Sequence, residues 1–189
     1  TCPICNYGRK LKKEEALAWI KESYEIDPFN YGCMFEEYLL TGNDEPLQRL
    51  VTLMHGNVYN YHELALDYNQ AYLYEEAQQV LTIPAVAEEL AKASPLTYYY
   101  IGHFLIGQGK LEEGKQILTN FVKTNRDPSY SCSSISDVQK FQDEVWKQRR
   151  IELWGEGFWV YDQMRLHKPV VRIHGSNIYN WPDAFAFNI

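Results

Sequence analysis

Apolar side chains recur three and four positions apart along most of this 189-residue chain, the spacing that gathers them on one face of a helix. Residues 10–123 read in this way as helices. Phe35-Glu36-Glu37-Tyr38-Leu39-Leu40 and Leu47-Gln48-Arg49-Leu50-Val51 with Leu53-Met54 are two such runs. Gly42-Asn43-Asp44 breaks between them, and Asp44 is the expected N-cap of the second. From Asp137 the apolar set Val138, Phe141, Val145, Trp146, Ile151, Leu153 and Trp154 predicts a further helix interrupted at Gly155. Another is expected from about Phe158 to Leu166. The pattern as a whole predicts an all-α protein.

Part of the pattern repeats. Tyr61-x2-Leu64-Ala65-x2-Tyr68 leads to Tyr74-Glu75-Glu76-Ala77-x3-Leu81. The same order returns 37 residues later as Tyr98-x2-Ile101-Gly102-x2-Leu105, then Gly109-Lys110-Leu111-Glu112-Glu113-Gly114 and Leu118, with Pro128 beyond. A half-copy near the start reads Glu14-Glu15-Ala16-x3-Ile20 and closes on Asp27-Pro28. This is the order of large and small residues in a tetratricopeptide repeat, whose usual period is about 34 residues. The first helix of each pair offers a small residue (Ala65, Gly102) where the second crosses it, and the second returns one (Ala16, Ala77, Gly114). Gly109 is expected to end a helix in the left-handed conformation, and a Pro after each second helix to stop it. The stretch from Ile83-Pro84 to Ser94-Pro95 takes up the excess length as a short extra helix. Too few residues precede Glu14 for a complete first helix, so residues 1–13 read as the remnant of a repeat or a frayed end, in a natural protein that began earlier.

Composition narrows the function. There are 18 Lys and Arg against 25 Asp and Glu, a formal charge of −7. That balance argues against nucleic acid, whose binding rests on clustered basic residues. From Ser129 onward seven basic and seven acidic residues cancel, so residues 1–128 carry the whole negative charge. A mean hydropathy of −0.43, with no apolar run of about 18 residues, argues against a transmembrane helix.

Catalytic and metal motifs fall away on inspection. Cys2-Pro3-Ile4-Cys5 has the spacing of a zinc knuckle or redox pair but lacks a second ligand pair; Cys33 and Cys132 stand alone, and packing or a local disulfide is the simpler reading. Gly109-x4-Gly114-Lys115 spells most of a phosphate loop, yet Gln116 replaces the magnesium-binding hydroxyl and the repeat accounts for both glycines. The five His residues show no metal spacing, and no nucleophile elbow is present. The expectation is a protein that is not an enzyme and takes no metal or cofactor.

The run Trp146-Lys147-Gln148-Arg149-Arg150-Ile151-Glu152-Leu153-Trp154-Gly155-Glu156-Gly157-Phe158, followed by Tyr161-Asp162 and Met164-Arg165-Leu166, resembles the C-terminal motif of the SusD/RagB family. Thr124-Asn125-Arg126-Asp127-Pro128-Ser129-Tyr130, Gly175-Ser176-Asn177 and Phe185-Ala186-Phe187-Asn188 are also similar, so the likeness covers about residues 107–189. Residues 28–105 look more like the repeat region of some large bacterial carbohydrate-associated proteins. The resemblance implies an outer-membrane or periplasmic protein of Bacteroidetes that captures glycans or other nutrients for a TonB-dependent transporter. It also implies two segments packed as one domain: tetratricopeptide-like repeats at 1–128, the first incomplete, and a SusD-like helix pair with an irregular tail at 129–189. Within the motif, Arg149, Arg150 and Glu152 are expected to fix the last helix pair through carboxylates such as Glu156 or Asp162. Trp154, Phe158 and Trp159 are expected in the core.

A stack of helix pairs binds through its successive first helices. Carrying the register across, the exposed positions are Tyr59, His62, Leu66 and Asn69 in one repeat and Leu96, Tyr99 and His103 in the next. Tyr179 and Trp181, in the tail after Gly175, are candidate aromatic platforms on a loop. The expected ligand is a protein partner or a glycan; the alternative is a repeat adaptor for a peptide with no glycan role.

Overall fold

The structure, a computed structural model, describes residues 13–155, 157–165, 167, 170–172 and 185–187. The chain divides into two compact units, Thr1–Ser133 and Ser134–Ile189. In the first, the described helices are α1 (Lys13–Ile26), α2 (Tyr31–Thr41), α3 (Asp44–Met54), α4 (Val58–Gln70), α5 (Tyr74–Leu81), α6 (Ala87–Ala93), α7 (Leu96–Gly107) and α8 (Leu111–Asn125). The second holds α9 (Val138–Glu152), α10 (Phe158–Arg165) and two short strands, β1 (Val170–Arg172) and β2 (Phe185–Phe187).

Helix starts follow from short polar side chains that accept a bond from the first free backbone N–H groups. Asn30 accepts from the Cys33 N–H at 3.0 Å and Asn57 from Tyr59 at 3.1 Å. At α3 the cap is Asn43, which accepts from Glu45 at 3.2 Å, whereas the sequence pointed to Asp44. Asp44 becomes the first helical residue instead, where its charge meets the positive end of the helix.

The first unit is built of antiparallel helix pairs: α2 with α3, α4 with α5, and α7 with α8, while α5 also packs on α7 and α1 on α2. One continuous core runs through them, from Met34 and Phe35 through Tyr61, Ala65, Tyr68, Ala77 and Val80 to Phe104 and Leu105. Ala16, Ala65 and Ala77 are all fully buried, as the small-residue crossing requires. The extra helix between repeats is α6, as the excess spacing implied.

Gly102 departs from this reading. It is buried, but a methyl group there would meet nothing within 4 Å, so no close crossing demands a bare position. The tight approach comes at Gly107, where an added Cβ would lie 2.6 Å from ring atoms of Tyr74, the first residue of α5.

Helices α4 and α7, each the first of a packed pair, end in the same way. After α7, the Gly109 N–H donates to the Ile106 carbonyl at 2.9 Å and Lys110 N–H to Leu105 at 2.8 Å, with Gly109 at φ +77°. After α4, Tyr72 N–H donates to Asn69 at 2.9 Å and Leu73 N–H to Tyr68 at 3.0 Å, with Tyr72 at φ 60°. Both are Schellman closures, and the expected left-handed role of Gly109 holds. Tyr72 fills the equivalent position at a steric cost that glycine avoids.

In the second unit Asp137 caps α9, accepting from Lys140 N–H at 2.8 Å, and Gly155 breaks the chain at φ +87° before α10. Arg149 Nε donates to Asp162 Oδ2 at 2.7 Å, both side chains largely buried, which ties α9 to α10 as the charge pattern suggested. Arg150 lies over the Trp146 ring at 5.0 Å. Trp154 is not core: it is 86% exposed, because Gly155 turns the chain directly after it. The tail is not wholly irregular either. β1 and β2 pair antiparallel, Val170 opposite Phe187 and Arg172 opposite Phe185, a pairing that suits β-branched and aromatic residues. Glu156 lies outside the described residues, as do Cys2 and Cys5.

Three variants test these contacts in chemical denaturation. Tyr72→Gly should raise stability by about 1 kcal/mol while Gly109→Ala lowers it by a similar amount, since each changes the cost of the same left-handed position. Gly107→Ala should cost roughly 1–3 kcal/mol, the range for overpacking, because its neighbour is a ring seated at the start of α5.

Candidate functional site

The residues that the sequence nominated for binding sit on α4 and α7, which lie close enough to share side-chain bonds. His103 Nε2 is 3.0 Å from Asn69 Oδ1, an exposed imidazole–amide pair. His62 Nε2 is 2.9 Å from Thr97 Oγ1, and Thr97 in turn donates to the Leu90 carbonyl at 3.0 Å. A hydroxyl has one proton, already given to Leu90, so His62 Nε2–H must be the donor to Thr97. His62 is 4% exposed, and burial alone pushes its pKa down to about 4, leaving a neutral ring.

Around these two bonds runs a chain of aromatic contacts. Tyr59 meets His62 edge-on at 6.3 Å, His62 meets Tyr100 at 5.0 Å, and Tyr100 stacks on Phe104 at 6.3 Å. Phe104 then touches His103 at 5.8 Å, His103 touches Tyr74 at 6.1 Å, and Tyr74 touches Tyr72 at 6.3 Å. Tyr59 and Tyr72 are the open ends of this series, 65% and 77% exposed. The surface therefore offers aromatic edges and one polar pair that can both give and take a hydrogen bond. Such a set suits recognition of a flat or extended ligand.

Four nominated residues reach this surface: Tyr59 and His103 are exposed, and Leu66 and Asn69 are half-buried. His62, Leu96 and Tyr99 do not, being buried to 4%, 8% and 4% exposure. His62, on α4, is covered by Thr97 and Tyr100, and the other two are buried because α7 packs against α5, α6 and α8 together. Leu96, Thr97, Tyr99, Ile101, Phe104 and Leu105 are consumed in those contacts, and only a narrow strip at His103 stays open. The sequence reading missed Tyr100 and Tyr74. Tyr100 stands three residues before His103 and so shares its face, a signal that the run Tyr98-Tyr99-Tyr100 obscured. Tyr179 and Trp181 lie outside the described residues.

Other candidates resolve as structure. Lys115, in the phosphate-loop-like stretch, is buried and bonds Glu112 at 2.7 Å inside α8. Cys33 and Cys132 are buried, and Cys132 Sγ lies 3.2 Å from Thr119 Oγ1. Among the described residues no group of three or more His, Cys, Asp and Glu could hold a metal, and no helix is long and apolar enough to cross a membrane.

No family model, curated protein or solved structure matches the chain. What stands is an all-α, multi-helix protein of packed helix pairs.

The buried imidazole sets a pH dependence. Its folded pKa lies below the usual 6.5, so in acid the unfolded chain takes up a proton that the folded chain refuses. Stability should be complete above about pH 6.5 and fall by up to ~3 kcal/mol as the pH drops toward 4. Urea midpoints of wild type and His62→Gln across this range test it: the difference between the two curves should carry that slope.

Proposed function

We propose that the chain is a non-enzymatic binding or docking module of a SusD-like glycan or nutrient uptake system at the bacterial outer membrane, engaging a TonB-dependent transporter or another protein there. The observation that carries this reading is the pair α9 and α10, held by Arg149 and Asp162 within the very run that resembles the SusD/RagB C-terminal motif. The tetratricopeptide-like register of Ala16, Ala77 and Gly114 in the first unit supports it, because the family is itself built on such helix pairs. Tyr59, Leu66, Asn69 and His103 form the ligand face in this reading.

A second reading, a repeat adaptor for a peptide with no glycan role, is favoured by the aromatic series on α4 and α7 alone. Calorimetry against a panel of polysaccharides divides the two. The uptake reading expects a saturable glycan or, in pull-downs from Bacteroidetes outer membranes, a TonB-dependent transporter retained on the chain. Neither a glycan nor a membrane protein retained would leave the adaptor.

A further inference from the structure

The three second helices of the repeats can be superimposed in register on their small residues, Ala16 in α1, Ala77 in α5 and Gly114 in α8. Ile20 then matches Leu81 and Leu118, all buried. At about 100° per residue, the flank of α5 that carries Tyr74 and Gln78 is the one facing α7. Gln108, at the end of α7, donates to the Tyr74 carbonyl at 3.2 Å and to Gln78 at 2.7 Å. The same flank of α1 carries Tyr24, whose hydroxyl donates to Glu37 of α2 at 2.8 Å. So α2 sits on α1 as α7 sits on α5.

The opposite flank of α5 carries Val80, 0% exposed in the core that α5 shares with its own first helix, α4. Its counterpart on α1 is Trp19, 55% exposed, and one heptad further along the same stripe Ile26 is 82% exposed. No described helix covers them. Beyond this stripe the outer edge of α1 presents Glu15 and Glu22, both exposed, and no basic residue.

We propose that the Trp19–Ile26 flank of α1 is a docking seat for an amphipathic helix of a protein partner, packed antiparallel to α1 as α4 packs on α5. The seat defines its occupant. It needs a small residue facing Ala16, apolar side chains around Trp19 and Ile26, and Lys or Arg along the edge that meets Glu15 and Glu22. The helix-on-helix interface that runs through the unit is thereby continued by one more member. This inference rests on the docking reading above and names the kind of partner.

A synthetic peptide of residues 57–71, which spans α4, the partner of α5, with Glu63→Lys and Asp67→Lys to make it basic, serves as the probe. Titrated into the full chain, it should bind one to one and shift tryptophan emission to the blue. Trp19→Ser should weaken binding about thirtyfold, the lower end for a buried aromatic anchor, and Glu15→Lys with Glu22→Lys should weaken it and remove its salt dependence. Ala65→Leu in the probe should abolish close packing and most of the affinity. Indifference to Trp19→Ser, or no binding, overturns the proposal. So does a Trp19-dependent dimer in sedimentation, or a Trp19 already shielded from acrylamide in the free chain, since either means that the seat is filled by this chain itself. The membrane pull-down separates the two claims. A transporter retained by a chain that ignores the probe sinks the seat alone, and probe binding with no membrane partner or glycan sinks the uptake reading alone.

Discussion

A helix of a dozen residues is not stable by itself in water; it persists when its apolar stripe is covered. In this protein the covering is done at short range by neighbouring helices, and small side chains set how near they come. Ala65 and Ala77 are fully buried where α4 and α5 cross, and Gly107 lets α7 rest on the ring of Tyr74. Each second helix has two flanks to satisfy, one toward its own first helix and one toward the next. For α5 both are met, by α4 and α7. For α1 only the flank toward α2 is met within the described residues.

That constraint also distributes the surface. Because α7 is pressed on by α5, α6 and α8, most of the side chains it carries are spent on packing, and the aromatic series is fully exposed at Tyr59, His103 and Tyr72 and half-buried at Tyr74 and Tyr100. His62 illustrates the exchange: a residue that could have met a ligand is instead a neutral donor to Thr97 inside the fold. The ion pair of Arg149 with Asp162 plays the corresponding joining part in the second unit, where Ile151, Trp154, Tyr161 and Met164 remain exposed.

The helices were legible because their signals are local. Apolar spacing, the turn at Gly109 and the break at Gly155 are all set by residues within a few positions of one another, and the surplus that became α6 shows in the 37-residue spacing of the pattern. The binding face was less legible, since the sequence gives the face of a helix but not how many neighbours claim it. Leu96 and Tyr99 share a helical face with His103 on paper, yet packing buries the first two and spares the third. The role of Gly102 was misjudged for the same reason: closeness depends on where two axes meet, and they meet five residues later at Gly107. Tyr72 was invisible as a strained residue because the repeat predicts a left-handed position there only after the closure at Gly109 is recognised as its equivalent.

If coverage by neighbours is what holds each helix, opening free energies must follow it. Native-state hydrogen exchange resolved by residue tests this directly. The account predicts that the central amides of α5, flanked by α4 and α7, exchange only through global unfolding, while those of α1 open locally at a distinctly lower free energy. Equal protection of α1 and α5 would contradict it.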